Sequence, residues 1–482
     1  MLVSMDTPEP ILLDGQVLQK VDVPDKSQLL NVVYPGDAVT VVGSCQPMTA
    51  DDIPAVLQSA EEGFERHKKT TMQQRVTMLQ KLALLIEAHQ ESLAKLITLE
   101  SGKPVKLATI EVNRAQALCQ GYANHLAVHE NKTITIDGRQ AEIQHFPLGP
   151  VLAITPFNFP LMLVMHKLAP AIASGCSFTV KPSSKTPLSA IYLGRLAVEA
   201  GYTAINIIPC ESRLVDSLLR SQVFKKLTFT GSDVVGWQLK NKAGKMPVSL
   251  ELGGNAACVI EDIPEGRIEK VARRVAKGAF WYSGQICISV QRVFIHQSVY
   301  KPFIDALIRE TRGLRVGNPL LADTDLGPMI TPEDVFRTRE LIKQAIAQGA
   351  NVLYGGNTYN ALTMNPTIFE KTTPEMGINA EEVFAPLMTV TPYTNYDEAL
   401  AMVNDSRYGL QAGVYTQSWA KAQQAFNTLD VGGVIINDVP TTRLDYLPYG
   451  GVKDSGLGRE GVMTGIAEMS YIKTLVSDKH FS

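Results

Sequence analysis

The sequence predicts an α/β fold built on parallel sheets, and three observations carry that expectation. From Gly149 onward short apolar runs alternate with helical stretches. Val151–Thr155, Phe178–Lys181, Ile205–Ile208, Leu227–Thr230 and Val248–Leu250 read as strands, with helical patterns near 161–174, 187–200, 212–221 and 233–243 between them. Such alternation implies βαβ units, whose crossover helices bring each strand back parallel to the last. A second set of the same kind runs from Ala256 to about Val434. The 482 residues also suffice for about three domains at roughly 150 residues each.

The remaining elements follow in chain order. The first fifty residues hold short apolar runs between turn signals, as at Ile11-Leu12-Leu13-Asp14-Gly15 and Val33-Tyr34-Pro35-Gly36, and read as an arm with small strands. Val76, Leu79, Leu82, Ala83 and Ile86 then recur at helical spacing, giving one apolar stripe. Gly102 and Pro104 break that run, and Val105 to Val128 resumes it. Between Lys132 and Phe146 the period changes to two around Asp137-Gly138, a strong hairpin turn signal. This hairpin is either a surface ribbon or a strand pair that exchanges edges with a second subunit. The tail from Tyr449 is Gly-rich and then alternates weakly, and no internal repeat is present.

Composition excludes several function classes. Forty-five basic against 48 acidic residues give a net charge of −3, without the basic footprint of a nucleic-acid binder. Six cysteines, none spaced C-x-x-C, are too sparse for a disulfide scaffold and point to a reducing compartment. Met1 to Gln19 carries acidic residues but no basic n-region, so it does not read as a signal peptide. The most apolar stretch, Val151 to Val180, is interrupted by Pro156, Pro160, Lys167 and Pro170 and cannot supply the ~20 apolar residues of a membrane span. The expectation is a soluble, cytoplasmic protein with neither a nucleic-acid nor a membrane partner.

Two glycine patterns are decoys. Gly456-Leu457-Gly458-Arg459-Glu460-Gly461 fits G-x-G-x-x-G, but 21 residues remain after it, too few for the βαβ unit a dinucleotide loop needs. Gly231 to Gly236 has P-loop spacing, but Trp237 stands where the phosphate-binding lysine belongs. Metal-ligand spacings and the G-x-S-x-G elbow are absent, so no metal is expected. Three stretches remain. Cys287 follows Gly284-Gln285-Ile286, where a turn could expose its sulfur, although a lone cysteine is more often a small buried hydrophobe. Glu251 ends an expected strand beside Gly253-Gly254, where a carboxylate is usually solvated or ion-paired. Asn158 sits between Pro156 and Pro160, where an ordinary turn asparagine is the commoner case.

Taken together and in order, the motifs resemble the aldehyde dehydrogenase superfamily. They are P-F-N-F-P at 156–160, K-P-S-S-K-T-P at 181–187, F-T-G-S at 229–232, E-L-G-G-N at 251–255, G-Q-I-C at 284–287, E-E-V-F-A-P at 381–386 and P-Y-G-G-V-K-D-S-G-L-G-R-E-G at 448–461. The resemblance spans about residues 30 to 476 and implies NAD(P)-dependent oxidation of an aldehyde to the acid. It makes Cys287 the nucleophile, Glu251 the base that activates water, and Asn158 an oxyanion donor. NAD or NADP is implied at Thr155, Pro156, Phe157, Lys181, Ser183, Ser184, Thr230, Gly231, Ser232, Leu252, Gly253, Glu382 and Phe384. Lys181 is expected on the adenosine ribose, Ser232 at the pyrophosphate, and Glu382 with Phe384 at the nicotinamide ribose.

Three departures from the family pattern carry information. Ser184 stands where many NAD-specific members have Glu, with Lys185 beside it, so NADP is expected to be tolerated or preferred. His166 falls where succinate-semialdehyde enzymes carry an Arg; it is either a helix residue satisfied by a neighbour or, with Arg114 and Arg443, a candidate to meet a substrate's anionic tail. The run Ile436-Asn437-Asp438, then Arg443 and P-Y-G-G-V-K, resembles the branch with lactaldehyde, non-phosphorylating glyceraldehyde-3-phosphate and phosphonoacetaldehyde dehydrogenases, which implies a small aldehyde with a hydroxyl or anionic tail. Tyr471 replaces a Glu thought to assist proton release in many members.

The resemblance further implies two Rossmann-like parallel-sheet domains plus a small β oligomerisation domain. The dinucleotide-binding domain is expected at 1–130 and 148–253, the catalytic domain at 254–437, and a bridging segment at 131–147 and 438–482. Self-association as a homodimer or homotetramer follows, since a partner strand would cover the hairpin's open edge. Two rival readings are a dehydrogenase that passes the thioester to coenzyme A and a catalytically silent dinucleotide-binding protein. The presence of Glu251 weighs against the first, and that of Cys287, Asn158 and Glu251 together against the second.

Overall fold

A computed structural model describes residues 8–18, 29–127 and 132–477. Its first sheet has eight strands. Five are parallel and lie in the order Ile205–Ile207, Phe178–Lys181, Val151–Ile154, Lys226–Thr230, Val248–Glu251. The hairpin of Ile11–Leu13 and Gln16–Leu18 extends one edge, and Gly456–Leu457 lies antiparallel on the other. The chain begins the parallel part of this sheet in its middle at Val151–Ile154, runs outward twice, and returns to the opposite side at Lys226–Thr230. Strand order therefore reverses between those two strands, and the crevice outside the carboxyl ends at such a switch point is where open α/β sheets bind ligands. Pro156-Phe157-Asn158 and Gly231-Ser232 leave from those two ends.

The second sheet has seven strands, in the order Asn351–Tyr354, Thr367–Glu370, Leu387–Tyr393, Arg292–His296, Ala257–Ile260, Gln411–Tyr415, Gly433–Ile436; all but the first pair in parallel. The chain passes from the carboxyl end of Val248–Glu251 to the start of Ala257–Ile260 in five residues. The carboxyl edge of the first sheet is thus linked directly to the amino edge of the second. Cys287 and Glu382 lie ahead of Arg292–His296 and Leu387–Tyr393, so both arrive at that amino edge.

Helices behave as their periodicity requires. Thr71 caps Met72–Ala88 through the Gln74 N–H, and the Gln74 side chain returns the bond to the Thr71 N–H. Val76, Leu79, Leu82, Ala83 and Ile86 are all buried on that helix. Helix Val105–Ala127 packs beside it, and both flank Met162–Ser174, every residue of which is buried. The start of that buried helix needs partners for its amide N–H groups, and the Glu111 carboxylate takes those of Leu161 and Met162 at 3.0 and 3.1 Å.

The hairpin forms as read: Lys132–Ile136 and Arg139–Pro147 are joined by Asp137 and Gly138 at φ of 50° and 80°, the left-handed pair such a turn demands. The tail, expected as one segment over 438–482, takes several places. Val452–Lys453 pairs with Tyr408–Gly409, Gly456–Leu457 borders the Glu251 strand, and Ser470–Ser477 alone joins the hairpin as a third strand. That small sheet leaves Ile134, Ile136, Ile472, Leu475 and Val476 exposed. Among the described residues, no helix is long and apolar enough to cross a membrane.

Candidate active site

One cavity of about 320 Å³ opens where the two sheets meet. Asn158, Glu251 and Cys287 all line it, drawn together from a loop after the first sheet's central strand, the last residue of its Val248–Glu251 strand, and the approach to the second sheet. The backbone ahead of Cys287 is tightly constrained. Tyr282, Ser283 and Gly284 hold φ of 51°, 55° and 70° in succession. A Cβ on Gly284 would come within 2.2 Å of the Ala385 carbonyl oxygen, so only glycine fits there. The Tyr282 hydroxyl donates to the Ser101 carbonyl at 3.0 Å, and the Ser283 hydroxyl to that of Gly327 at 2.7 Å. Left-handed turns at two non-glycine residues are costly, and these bonds hold them.

Cys287 Sγ lies 3.6 Å from the Tyr449 hydroxyl. Burial pushes its thiol up to about 11; the Tyr449 hydrogen bond and the Arg443 charge pull the other way, while Glu382 and Glu251 add to the rise. The Asn158 amide nitrogen donates to the Gln285 carbonyl at 3.0 Å, tying it to the cysteine loop, while its oxygen is buried without a partner. Glu251 is 4% exposed and neither carboxylate oxygen has a hydrogen-bond partner among the described residues. Burial first, then the negative charge of Glu460, raises its pKa well above the usual carboxylate range. A buried carboxylate without partners is costly unless a ligand or water meets it, which is a mark of a reacting group.

Pro156, Phe157, Thr230, Gly231, Ser232, Leu252, Gly253, Glu382 and Phe384 line the same cavity. Ser232 is the N-cap of helix Asp233–Ala243, and its hydroxyl does not close that end. Glu382 accepts the Gly254 N–H at 3.1 Å, and burial lifts it to about 7. Gly253 is pressed against it: a Cβ there would lie 2.5 Å from Glu382 Oε2. Phe384, at φ 51°, meets Phe157 edge to face with centroids 5.9 Å apart. Thr155, Lys181, Ser183 and Ser184 lie outside the cavity lining. Thr155 donates its N–H to the Lys181 carbonyl at 3.2 Å, and the Lys181 ammonium is pushed down by burial. Ser183 accepts the Lys185 N–H, while Ser184 and Lys185 are exposed beside a separate hollow with Tyr34 and Glu333.

Arg114, His166 and Arg443 also line the cavity, but none is a free cation. Asp445 accepts from Arg114 Nε and one terminal Arg114 nitrogen at 2.9 and 2.7 Å and lies 3.1 Å from Arg443 Nε and 3.2 Å from His166 Nε2, the last two off the axis of a good hydrogen bond. Arg443 donates to His166 Nδ1 at 3.2 Å, which makes Nδ1 the acceptor and leaves the ring proton on Nε2, toward Asp445. The expectation of a cationic His166 is therefore corrected: burial and then the Arg443 charge hold its pKa down, and the ring is neutral.

Several functional groups here were not singled out from the sequence. Lys167 donates to Thr230 Oγ1 at 2.7 Å and to Glu460 at 2.5 Å, and Arg443 reaches the other Glu460 oxygen at 3.2 Å. Burial opposes ionisation of Glu460, but the Lys167 and Arg443 charges outweigh it and hold the group down to about 2. Glu460 and Tyr449 sit within the tail motif and face each other across an antiparallel bridge, N–H to carbonyl at 2.9 and 2.7 Å. Beneath Asn158, Lys103 pairs with Glu111 and lies 3.7 Å above the Phe159 ring.

Comparison with known proteins agrees with this geometry. The model of the aldehyde dehydrogenase family matches residues 23–475. A lactaldehyde dehydrogenase of Methanococcus aeolicus is 36% identical, covering 97% of this chain and 99% of its own length. A 3-sulfolactaldehyde dehydrogenase of Priestia aryabhattai is also 36% identical, over 89% of this chain and 91% of its own. Among solved structures, aldehyde dehydrogenase 21 of Physcomitrella patens, in complex with the reaction product succinate, superposes at a TM-score of 0.94 with 35% identity over 99% of this chain and 100% of its own. Glyceraldehyde-3-phosphate dehydrogenase GapN of Methanocaldococcus jannaschii, complexed with NADP, gives 0.89 with 34% identity over 93% and 99%. With its two parallel sheets and a cysteine, a glutamate and an asparagine around one cavity, this chain belongs to the aldehyde dehydrogenase family of oxidoreductases.

Proposed function

We propose that this protein oxidises a small aldehyde carrying a hydroxyl or anionic tail to its carboxylic acid, with NAD or NADP. The observation that carries the reading is the meeting of Cys287, the tethered Asn158 amide and the partnerless Glu251 carboxylate in one cavity. The Cys287 thiolate adds to the aldehyde carbon, and the carbonyl oxygen becomes an oxyanion of the thiohemiacetal. The Asn158 amide and the Cys287 N–H hold that charge, and each such donor is worth about 100- to 1,000-fold in rate. When bound, the dinucleotide supplies the hydride acceptor, and a thioester on Cys287 results. Glu251, kept unpaired and with a raised proton affinity, takes a proton from water as the water attacks the thioester, which frees the acid and restores the thiolate.

The residues present fit the dinucleotide. The switch point of the first sheet opens beside the uncapped start of helix Asp233–Ala243, which suits a pyrophosphate. Glu382 and Phe384, anchored by Gly254 and Phe157, are placed for the nicotinamide ribose. Lys181 ends the strand Phe178–Lys181, Ser183 and Ser184 follow it, and the three suit the adenosine ribose. Ser184 with Lys185 lets a 2′-phosphate in where a glutamate would repel it, so NADP is accepted.

The anionic-tail reading has electrostatic support. Arg114, Arg443 and Lys167 face Asp445 and Glu460, three cations against two carboxylates. One positive charge is left over at this wall, and Arg443 rather than His166 carries it to the cavity. The relative named for 3-sulfolactaldehyde and the structure holding succinate support an anionic tail, and the relative named for lactaldehyde supports a hydroxyl. The exposed apolar residues of the hairpin sheet support a homo-oligomer in which a partner covers them. A fully active monomer on a sizing column would contradict that.

The test is cofactor reduction, followed by absorbance with NAD and with NADP, against lactaldehyde, glycolaldehyde, succinate semialdehyde, glyceraldehyde-3-phosphate, phosphonoacetaldehyde and 3-sulfolactaldehyde. Turnover of an anionic or hydroxylated aldehyde, lost in Cys287→Ala, is the expected result. Reduction by none of them would overturn the reading.

A further inference from the structure

Tyr449 is buried at 6% exposure, yet its hydroxyl is aimed at the reacting sulfur, 3.6 Å from Cys287 Sγ. Its backbone is fixed by the two-way bridge to Glu460. Its ring is fixed from above by the Arg443 guanidinium, centred 3.7 Å from the ring centroid. Arg443 is itself held by Glu460, Asp445 and His166. A cation on the face of a phenol withdraws electron density and makes its O–H a stronger donor. The groups around Cys287 are otherwise of mixed sign: Glu382 and Glu251 disfavour a thiolate, Arg443 favours one, and Tyr449 offers a hydrogen bond.

We propose that Tyr449 is a further catalytic residue, whose phenolic O–H, sharpened by the overlying Arg443, donates a hydrogen bond to the Cys287 sulfur whenever that sulfur carries negative charge. This rests on Cys287 being the nucleophile. In the resting enzyme the thiol proton can point at the phenol oxygen. Once the thiol is ionised the phenol turns its own proton to the sulfur. As the thiolate attacks, its electron pair forms the C–S bond, the carbonyl π pair moves to oxygen, and the hydrogen bond slackens. When water opens the thioester, the C–S pair returns to sulfur, and the phenol meets the departing thiolate. No proton leaves Tyr449 at either stage; it raises the fraction of thiolate available for attack, stabilises the departing sulfur, and is consumed in neither. A phenylalanine at this position would keep the ring and the Arg443 contact and lose only the donor.

The experiment is the pH dependence of Cys287 alkylation by iodoacetamide in the full-length enzyme without aldehyde, for the wild type and Tyr449→Phe, with Cys287→Ala to identify the labelled sulfur. The proposal expects Tyr449→Phe to move the midpoint up by about one pH unit, to slow alkylation about tenfold below it, and to lower kcat with little change in KM. An unchanged alkylation profile overturns it. So does a raised KM with unchanged alkylation, which would make Tyr449 a contact for the substrate tail. Should the phenylalanine variant fail to fold, a ring-fluorinated tyrosine at 449, a stronger donor, must move the midpoint down; no movement overturns the proposal equally. Retained turnover and an undiminished labelling in Cys287→Ala would instead sink the nucleophile assignment itself.

Discussion

The two walls of the cavity treat carboxylates in opposite ways. On the wall of Glu251 and Asn158, three buried oxygens have no partner among the described residues. On the wall of Arg443 and Asp445, Arg443 Nε, His166 Nε2 and Thr441 Oγ1 also lack a hydrogen bond among the described residues, but each charged group has an opposite charge within 3.2 Å, and Glu460 and Asp445 each serve more than one cation. A buried polar atom left alone costs about 1–3 kcal/mol, so a fold keeps such atoms only where something else will meet them. Under the proposed reaction the Glu251 wall meets the reacting groups, and the Arg443 wall sets the field around them and faces the substrate's tail. The same residue type shows both behaviours: burial and Glu460 drive Glu251 up, while Lys167 and Arg443 overcome burial at Glu460 and hold it down.

The comparison can be broken on its reactive side first. Cys287→Ala is expected to lower kcat by about 10⁴-fold or more, as for removal of other covalent nucleophiles, in a steady-state assay with the best aldehyde. Asn158→Ala, which removes one oxyanion donor, is expected to cost about 100- to 1,000-fold in kcat with little change in melting temperature. Equal loss in KM alone would place Asn158 in substrate binding.

Stability should separate the two walls in the opposite sense. Glu460→Gln leaves Lys167 and Arg443 short of a counter-charge and is expected to destabilise the protein by about 3 kcal/mol at neutral pH, read by chemical denaturation. Glu251→Gln removes a carboxylate with no partner and is expected to leave stability unchanged or raised. The pH dependence sharpens this. Glu460 is held at about 2, below the 4.5 of an ordinary glutamate, so its stabilisation is complete above 4.5 and is lost as pH falls toward 2. Glu251 is displaced upward, so ionising it in the fold costs stability as pH rises past 4.5; the advantage of Glu251→Gln in melting temperature should widen over that range. Identical pH profiles for the two variants would erase the distinction.

Much of this was legible in the sequence, and the limits have physical causes. The strands and helices of the first sheet follow apolar periodicity closely, because both sheet faces are covered and each element must bury its own stripe. Asp137-Gly138 specified its hairpin through backbone geometry alone. Cys287, Glu251 and Asn158 were visible because their neighbours, Gly284, Gly253 and the flanking prolines, are demanded by tight local backbone. The paired wall was hidden because its logic is long-range: Arg114 and Asp445 are 331 positions apart, and Lys167 and Glu460 293. Lys167 read only as a charge interrupting an apolar run. The two readings of His166 could not be separated in the sequence because nothing local to it reveals that Arg443 occupies its Nδ1.

The smallest expected effect concerns cofactor choice. Ser184→Glu is expected to raise KM for NADP about tenfold, equivalent to about 1.4 kcal/mol, and to leave NAD within about threefold. Equal changes for both cofactors would remove Ser184 from the adenosine ribose.

The central claim is that Cys287 carries a thioester which Glu251-activated water releases. Rapid-mixing absorbance of Glu251→Gln with cofactor and aldehyde tests it most directly. The account predicts a burst of about one equivalent of reduced cofactor per active site, then near arrest, because the acyl group stays on Cys287. Continued turnover at the wild-type rate, with no burst, would contradict it.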